Sequence, residues 1–252
     1  ATPDNQRYII HPELSQYYMA NRERLEAKID LSYLPSQRWN LGLNMLWRDD
    51  EYDKSKLGLT GAAWQRIHFS ASYVASESLS GSVYAGWDRY ESEQSGRAFR
   101  GGQEKDAFDI YPPLPQASDP NQNWDLDATD DATTLGANVL WQVAEQFDLR
   151  FDYNFVDTQS EQDFMTRTLG TVTASDLPDV ETRLHHAKAS GIWHRREQHS
   201  LQMDSQYYRY SSDDWARQDV NANTVDKVLT FGERNPNEKI HYVGVSAVYR
   251  WQ

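Results

Sequence analysis

The chain has 252 residues, no cysteine and a formal net charge of −13. These facts exclude a disulfide framework, a thiolate metal site and covalently attached haem, and they argue against a nucleic-acid-binding domain. Mean hydropathy is −0.83 and no apolar run approaches the ~18 residues of a membrane helix, yet nine Trp and 15 Tyr are many for so polar a chain.

Read with period two, the sequence resolves into nine segments of roughly ten residues, the length of a strand crossing a bilayer at a tilt. The first places Leu25, Ala27, Ile29, Leu31 and Tyr33 on one face, with Glu26, Lys28 and Asp30 on the other. After a turn at Pro35–Arg38, the second carries Trp39, Leu41, Leu43, Met45 and Trp47 against Asn40, Asn44 and, past its end, Arg48. The third sets Ile67, Phe69, Ala71 and Tyr73 against Arg66 and His68, and the fourth sets Leu79, Val83, Ala85 and Trp87 against Ser80, Ser82, Tyr84 and Asp88. Leu135, Ala137, Val139 and Trp141 mark the fifth. The sixth alternates most cleanly, with Phe147, Leu149, Phe151, Tyr153 and Phe155 against Asp148, Arg150, Asp152 and Asn154. The seventh opposes Ala187, Ala189, Gly191 and Trp193 to His186 and Lys188; the eighth opposes Leu201, Met203 and Tyr207 to Asp204 and Gln206. The last carries Val243, Val245, Ala247, Tyr249 and Trp251, with Arg250 on the polar phase.

A helix would bunch apolar residues at three- and four-residue spacing, and these segments do not. A soluble antiparallel sheet also alternates, but three features favour an outer-membrane β-barrel. Connections alternate strictly between short turns (35–38, 75–78, 144–146, 194–198) and long polar stretches (48–64, 90–132, 157–182, 211–239), as in barrels with tight periplasmic turns and long external loops. Aromatic residues gather at strand ends in two girdles: Tyr33, Trp39, Tyr73, Trp141, Phe147, Trp193 and Trp251 toward the short turns, and Trp47, Trp87, Phe155 and Tyr207 toward the long connections. The polar phase is charged in mid-strand, so one face is wet or meets a polar partner while the other stays apolar.

The expected fold is therefore an antiparallel transmembrane barrel, with the polar-phase residues named above lining the lumen. Trp251 on the turn side puts the C-terminus in the periplasm, and nine strands back the chain begins outside the cell. Because bacterial single-chain barrels have even strand numbers, the chain reads as the C-terminal part of a larger barrel: one segment over 1–252, with 1–20 as the remnant of an external loop.

Other candidate sites are weaker. Asp125, Asp127, Asp130 and Asp131 crowd a predicted loop where carboxylates would suit calcium, though the spacing is not that of an EF-hand. His185 and His186 point to opposite faces, and His194 and His199 flank a turn, so His11, His68, His185, His186, His194, His199 and His241 read as solvated or lumenal rather than ligating. Ser190 lies within reach of His186 along one face, but no Ser/His/Asp arrangement stands out, and no enzymatic activity is expected. Gly96, Gly101 and Gly102, with Pro112, Pro113 and Pro115, mark the longest connection, a candidate constriction or partner surface.

Three stretches carry a family resemblance: LPDVETRLHH leading into the seventh strand, YRYSSDDW after the eighth, and NPNEKIHYVGVSAVYRW at the end, with DDEYDKSKLGLTG upstream in the same style. The alternating final strand ending in an aromatic also looks like the C-terminal signal read by the outer-membrane assembly machinery, although Gln252 follows the aromatic. Together these resemble the C-terminal portion of the MtrB/PioB family of decahaem-associated outer-membrane proteins. The resemblance implies a barrel that sheaths a periplasmic multihaem cytochrome c and lets its haem chain meet an extracellular multihaem cytochrome, with no redox centre in the barrel itself. The residues alone suit equally a porin or diffusion channel with water against the charged face.

Overall fold

The computed structural model of the chain describes residues 13–16, 20–97, 120–166, 177–196, 199–217 and 237–249. All nine predicted strands are present: β2 (Glu23–Ser36), β3 (Trp39–Glu51), β4 (Leu57–Ser76), β5 (Leu79–Arg97), β6 (Asn123–Ala144), β7 (Phe147–Thr166), β8 (Val180–Arg196), β9 (His199–Asp213) and β10 (Glu238–Tyr249). They pair as antiparallel neighbours in strict chain order within one sheet, which does not close on itself. A two-residue strand β1 (Leu14–Ser15) pairs in parallel with the start of β4, where β4 extends past the end of β3.

The turn at each described short connection is two residues long: Gln37–Arg38, Glu77–Ser78 and Glu145–Gln146. A register shift accompanies each, at Tyr33/Ser36, Val74/Ser76 and Gln142/Ala144, and another sits at His194/Arg196. Serine oxygens stabilise two of these corners: the Arg38 amide donates to Ser36 Oγ (3.2 Å) and the Ser78 amide to Ser76 Oγ (3.3 Å). A further shift lies at Leu59/Gly61, beyond which Gly58 and Leu59 pair with Ser95 and Gln94. Between these irregularities odd residues pair with odd and even with even across β2–β10, so parity assigns a residue to a face.

No second layer covers either face. Val83 is 52% exposed, Phe151 45% and Val245 66%, and among the described residues no large side chain is fully buried. A sandwich would have packed these side chains against a facing sheet. Instead Leu31, Leu43, Phe69, Ala85, Leu135 and Phe155 stand in successive cross-strand register on the odd face.

The structure corrects the expected connections. Residues 57–64, 90–97, 123–132, 157–166 and 180–182 belong to strands, and β6 runs for 22 residues. In these overhangs polar residues stand on both faces, so the apolar alternation fades while the backbone ladder continues. The segment holding Gly101, Gly102, Pro112, Pro113 and Pro115 lies outside the described residues.

Candidate functional site

Because parity sorts the faces, the described residues of the predicted polar phase fall together. Glu26, Lys28, Asp30, Asn44, Arg48, Arg66, His68, Asp88, Asp148, Arg150, Asp152, Asn154, His186, Lys188, Asp204 and Gln206 all lie on the even face; Arg250 lies outside the described residues. Neighbours across and along the strands convert most of these charges into local pairs. Arg48 Nε meets Glu26 Oε2 at 2.8 Å, and Lys28 Nζ meets Asp30 Oδ2 at 3.1 Å, with the Asn44 amide also donating to Asp30. Asp88 accepts from Arg66 Nε (2.7 Å) and Trp64 Nε1 (3.3 Å) and contacts His68 Nε2 (2.6 Å). Trp64 in turn lies under two guanidinium groups, Arg48 at 5.0 Å and Arg66 at 4.4 Å from its ring centroid. Farther round the sheet, Asp204 gathers Ser190 Oγ (2.6 Å), Gln202 Nε2 (2.9 Å) and Lys188 Nζ (3.6 Å), while His194 Nε2 meets Asp148 at 3.0 Å.

Sequence reasoning missed part of this face. Trp64 and Asp50 fell in a predicted loop, yet they continue the even phase of β4 and β3. Arg24 grips Asp50 with both guanidinium arms, at 2.6 and 2.8 Å. That bond holds the Asp50 carboxyl below its ordinary value, an effect larger than the opposing desolvation. Extending parity three residues beyond Trp47 and three residues back from Ile67 would have found both.

Glycine shapes the same face. A Cβ on Gly136 would come within 2.0 Å of Tyr84 Cζ, because the Tyr84 ring lies flat across β6 to let its hydroxyl donate to Asn154 Oδ1 on β7 (3.1 Å). The His68 ring lies over Gly86 in the same way, 2.7 Å from where a Cβ would stand. Rings that would otherwise project from the wall are thus folded onto it.

The odd face carries the predicted aromatic residues Tyr33, Trp39, Trp47, Tyr73, Trp87, Trp141, Phe147, Phe155, Trp193 and Tyr207; Trp251 lies outside the described residues. The Trp39 and Tyr73 rings pack at a tilt with centroids 4.5 Å apart. Three histidines share this face and each meets an aromatic ring: His185 with Phe155 (4.8 Å), His199 with Tyr249 (4.8 Å) and His241 with Tyr207 (4.9 Å). His11 lies outside the described residues.

The expected calcium loop is corrected. Asp125, Asp127, Asp130 and Asp131 are on strand β6, with Asp130 on the even face and the others on the odd face. A strand cannot curl its carboxylates around one ion, and among the described residues no three His, Asp or Glu side chains converge as a metal site. Ser190 is bonded to Asp204, and His186 Nε2 instead lies 3.4 Å from Gln206 Oε1.

A single-layer meander with one apolar band, tight turns at one end and overhanging strands at the other defines the wall of an outer-membrane β-barrel. The chain belongs to the MtrB/PioB family of outer-membrane beta-barrel porins, which it matches over residues 2–251. It is 21% identical over 239 residues to the outer membrane protein MtrB of Shewanella baltica (strain OS185), covering 94% of this chain and 31% of that protein. The chain thus spans about a third of this curated relative. Among solved structures it resembles the copper transporter OprC, with a TM-score of 0.53, 12% identity and coverage of 90% of this chain and 33% of that one. The ferric-catecholate import receptor Fiu from E. coli K12 overlaps with a TM-score of 0.47 and 10% identity over 92% of this chain and 42% of that one. At such identity the likeness to OprC concerns fold alone.

Proposed function

We propose that this chain forms part of the wall of an electron conduit. Its odd face meets lipid, with the aromatic residues at the two boundaries, and its even face surrounds a periplasmic multihaem c-type cytochrome. The haems belong to that partner, which passes electrons across the outer membrane to an extracellular multihaem cytochrome. The barrel supplies insulation, width and a polar lining, and its C-terminal end lies on the periplasmic side.

The observation that carries this reading is the even face itself. Most of its charges are paired within the wall, and the Tyr84 and His68 rings lie flat on it. A self-satisfied, low-relief polar surface suits a large folded protein, which brings its own charges and needs room. Membership of a family that includes MtrB supports the same reading. The porin description of the family favours a second one, a water-filled diffusion channel lined by the same residues.

Purification of the full-length protein from its native outer membrane in mild detergent tests the two. The conduit predicts a co-eluting Soret band and a haem-staining polypeptide in fixed ratio to the barrel. A colourless barrel that conducts ions freely in a planar bilayer would replace the conduit by the channel.

A further inference from the structure

We propose that the odd face of β8–β10 holds a lipid with an anionic phosphate headgroup, the phosphate seated against Arg209 and Lys239. This rests on the reading of the odd face as the lipid side.

Arg209 and Lys239 are direct cross-strand partners on the odd face, and both are exposed. Across the other edge of Arg209 stands His185, with Arg183 diagonal to it; His241 is diagonal on β10. Along its own strand the same-face neighbours are Tyr207 and Ser211. Every odd-face strand residue beside Arg209 is therefore cationic or titratable to a cation, aromatic, hydroxylic or alanine. Arg209 has no ion pair among the described residues; Arg183 is satisfied by Asp157 at 2.7 Å, and the Lys239 ammonium lies 5.8 Å from the Tyr207 ring centroid. Elsewhere the same overhang is acidic, with Asp49, Glu91, Asp127, Asp131, Glu161 and Asp163 on the odd face of β3–β7. On this overhang the unpaired positive charge of the odd face is thus gathered at Arg209 and Lys239, one step beyond the Tyr207 end of the apolar band. That is headgroup level, where a guanidinium and an ammonium suit a phosphate.

A second observation points to an acyl chain below it. Small residues on β8 and β9 leave a groove of about 490 Å³ on the same face, floored by Ala189, Gly191 and Ser205 and walled by Trp141, Phe151 and Met203. Ser205 is four residues from Arg209 along β9, roughly 13 Å, so the groove lies beneath the cationic pair as a lipid tail lies beneath its phosphate. The comparable apolar groove at Trp39, Tyr73 and Val83 lies on β3–β6, away from the cationic pair.

The test is native mass spectrometry of the full-length protein released from mixed phosphatidylglycerol/phosphatidylcholine nanodiscs. Phosphatidylglycerol should be retained selectively, and the double variant Arg209→Gln, Lys239→Gln should lose that selectivity by roughly tenfold or more. The charge-retaining exchange Arg209→Lys, Lys239→Arg should keep it, which guards against misfolding of the first variant. Ala189→Phe should weaken retention of either lipid by filling the groove. Equal retention by the wild type and the neutral variant would overturn the proposal, as would displacement of the lipid by inorganic phosphate alone, which would mark a free-anion site. Quenching of tryptophan fluorescence by lipids brominated in the acyl chain separates the two readings. Quenching without headgroup selectivity sinks only the cationic pair, and absence of quenching sinks the lipid assignment of the odd face.

Discussion

At the scale of single residues, two features carry specific consequences. Tyr84 and Gly136 act as one unit: the ring lies where a Cβ of residue 136 would be. Tyr84→Phe keeps the ring and removes the bond to Asn154, and we expect a loss of ~1 kcal/mol in urea unfolding of the folded barrel. Gly136→Val should cost more, because the ring must also leave the wall; equal losses would show that the flat ring does not depend on glycine. Asp50 sits beyond the Trp47 end of the apolar band with its side chain 8% exposed, gripped by Arg24. Its carboxyl is held below 3.8, chiefly by that bond. The stabilisation is therefore present at and above the ordinary carboxylate range and fades as pH falls through the depressed value. Protection from hydrogen exchange at the β2–β3 overhang, taken relative to the intrinsic rate at each pH, should fall on acidification below about 4, and Asp50→Asn should show the weaker protection already at neutral pH.

At the scale of the strand, the sequence was most legible where chemistry changes every residue. In β7, Phe147 through Phe155 alternates with Asp148 through Asn154, and strand, face and register all follow from that pattern. Legibility failed where both faces are wet. From Asp125 to Asp131 the side chains give no periodic contrast, so a continuous ladder of β6 with β5 and β7 read as a loop and its carboxylates as a cation site. The even-face ion pairs were legible as a polar phase but not as pairs, because pairing depends on cross-strand register, which the turn bulges set. The two faces differ enough to test directly. Val83→Arg, in the middle of the apolar band, should destabilise the barrel by about 2–4 kcal/mol. Ser82→Arg, its neighbour on the even face, should be tolerated; the fraction migrating as folded barrel in unheated SDS gels reports both. Similar behaviour of the two variants would mean that parity does not separate lipid from lumen.

At the scale of the whole molecule, the wall alternates two kinds of economy. On the proposed reading, its odd face relies on lipid for the burial that a second sheet would give a soluble protein, and its even face satisfies most of its own charges and asks little of whatever it encloses. If a cytochrome fills the lumen, the complex should resist salt: the even-face pairs are already closed, so raising ionic strength should release little haem protein from the purified barrel. Dissociation in moderate salt would mean that unpaired groups such as Arg150 and Asp152 carry the contact.

The overhang of β6 has a practical consequence for anyone who tags or truncates this protein. From Trp124 to Asp131 the chain sits between two hydrogen-bonded neighbours, and at ~3.3 Å per residue that stretch is roughly 26 Å of stiff ribbon. An epitope inserted there, in what reads as a permissive hydrophilic stretch, would break the ladder on both sides.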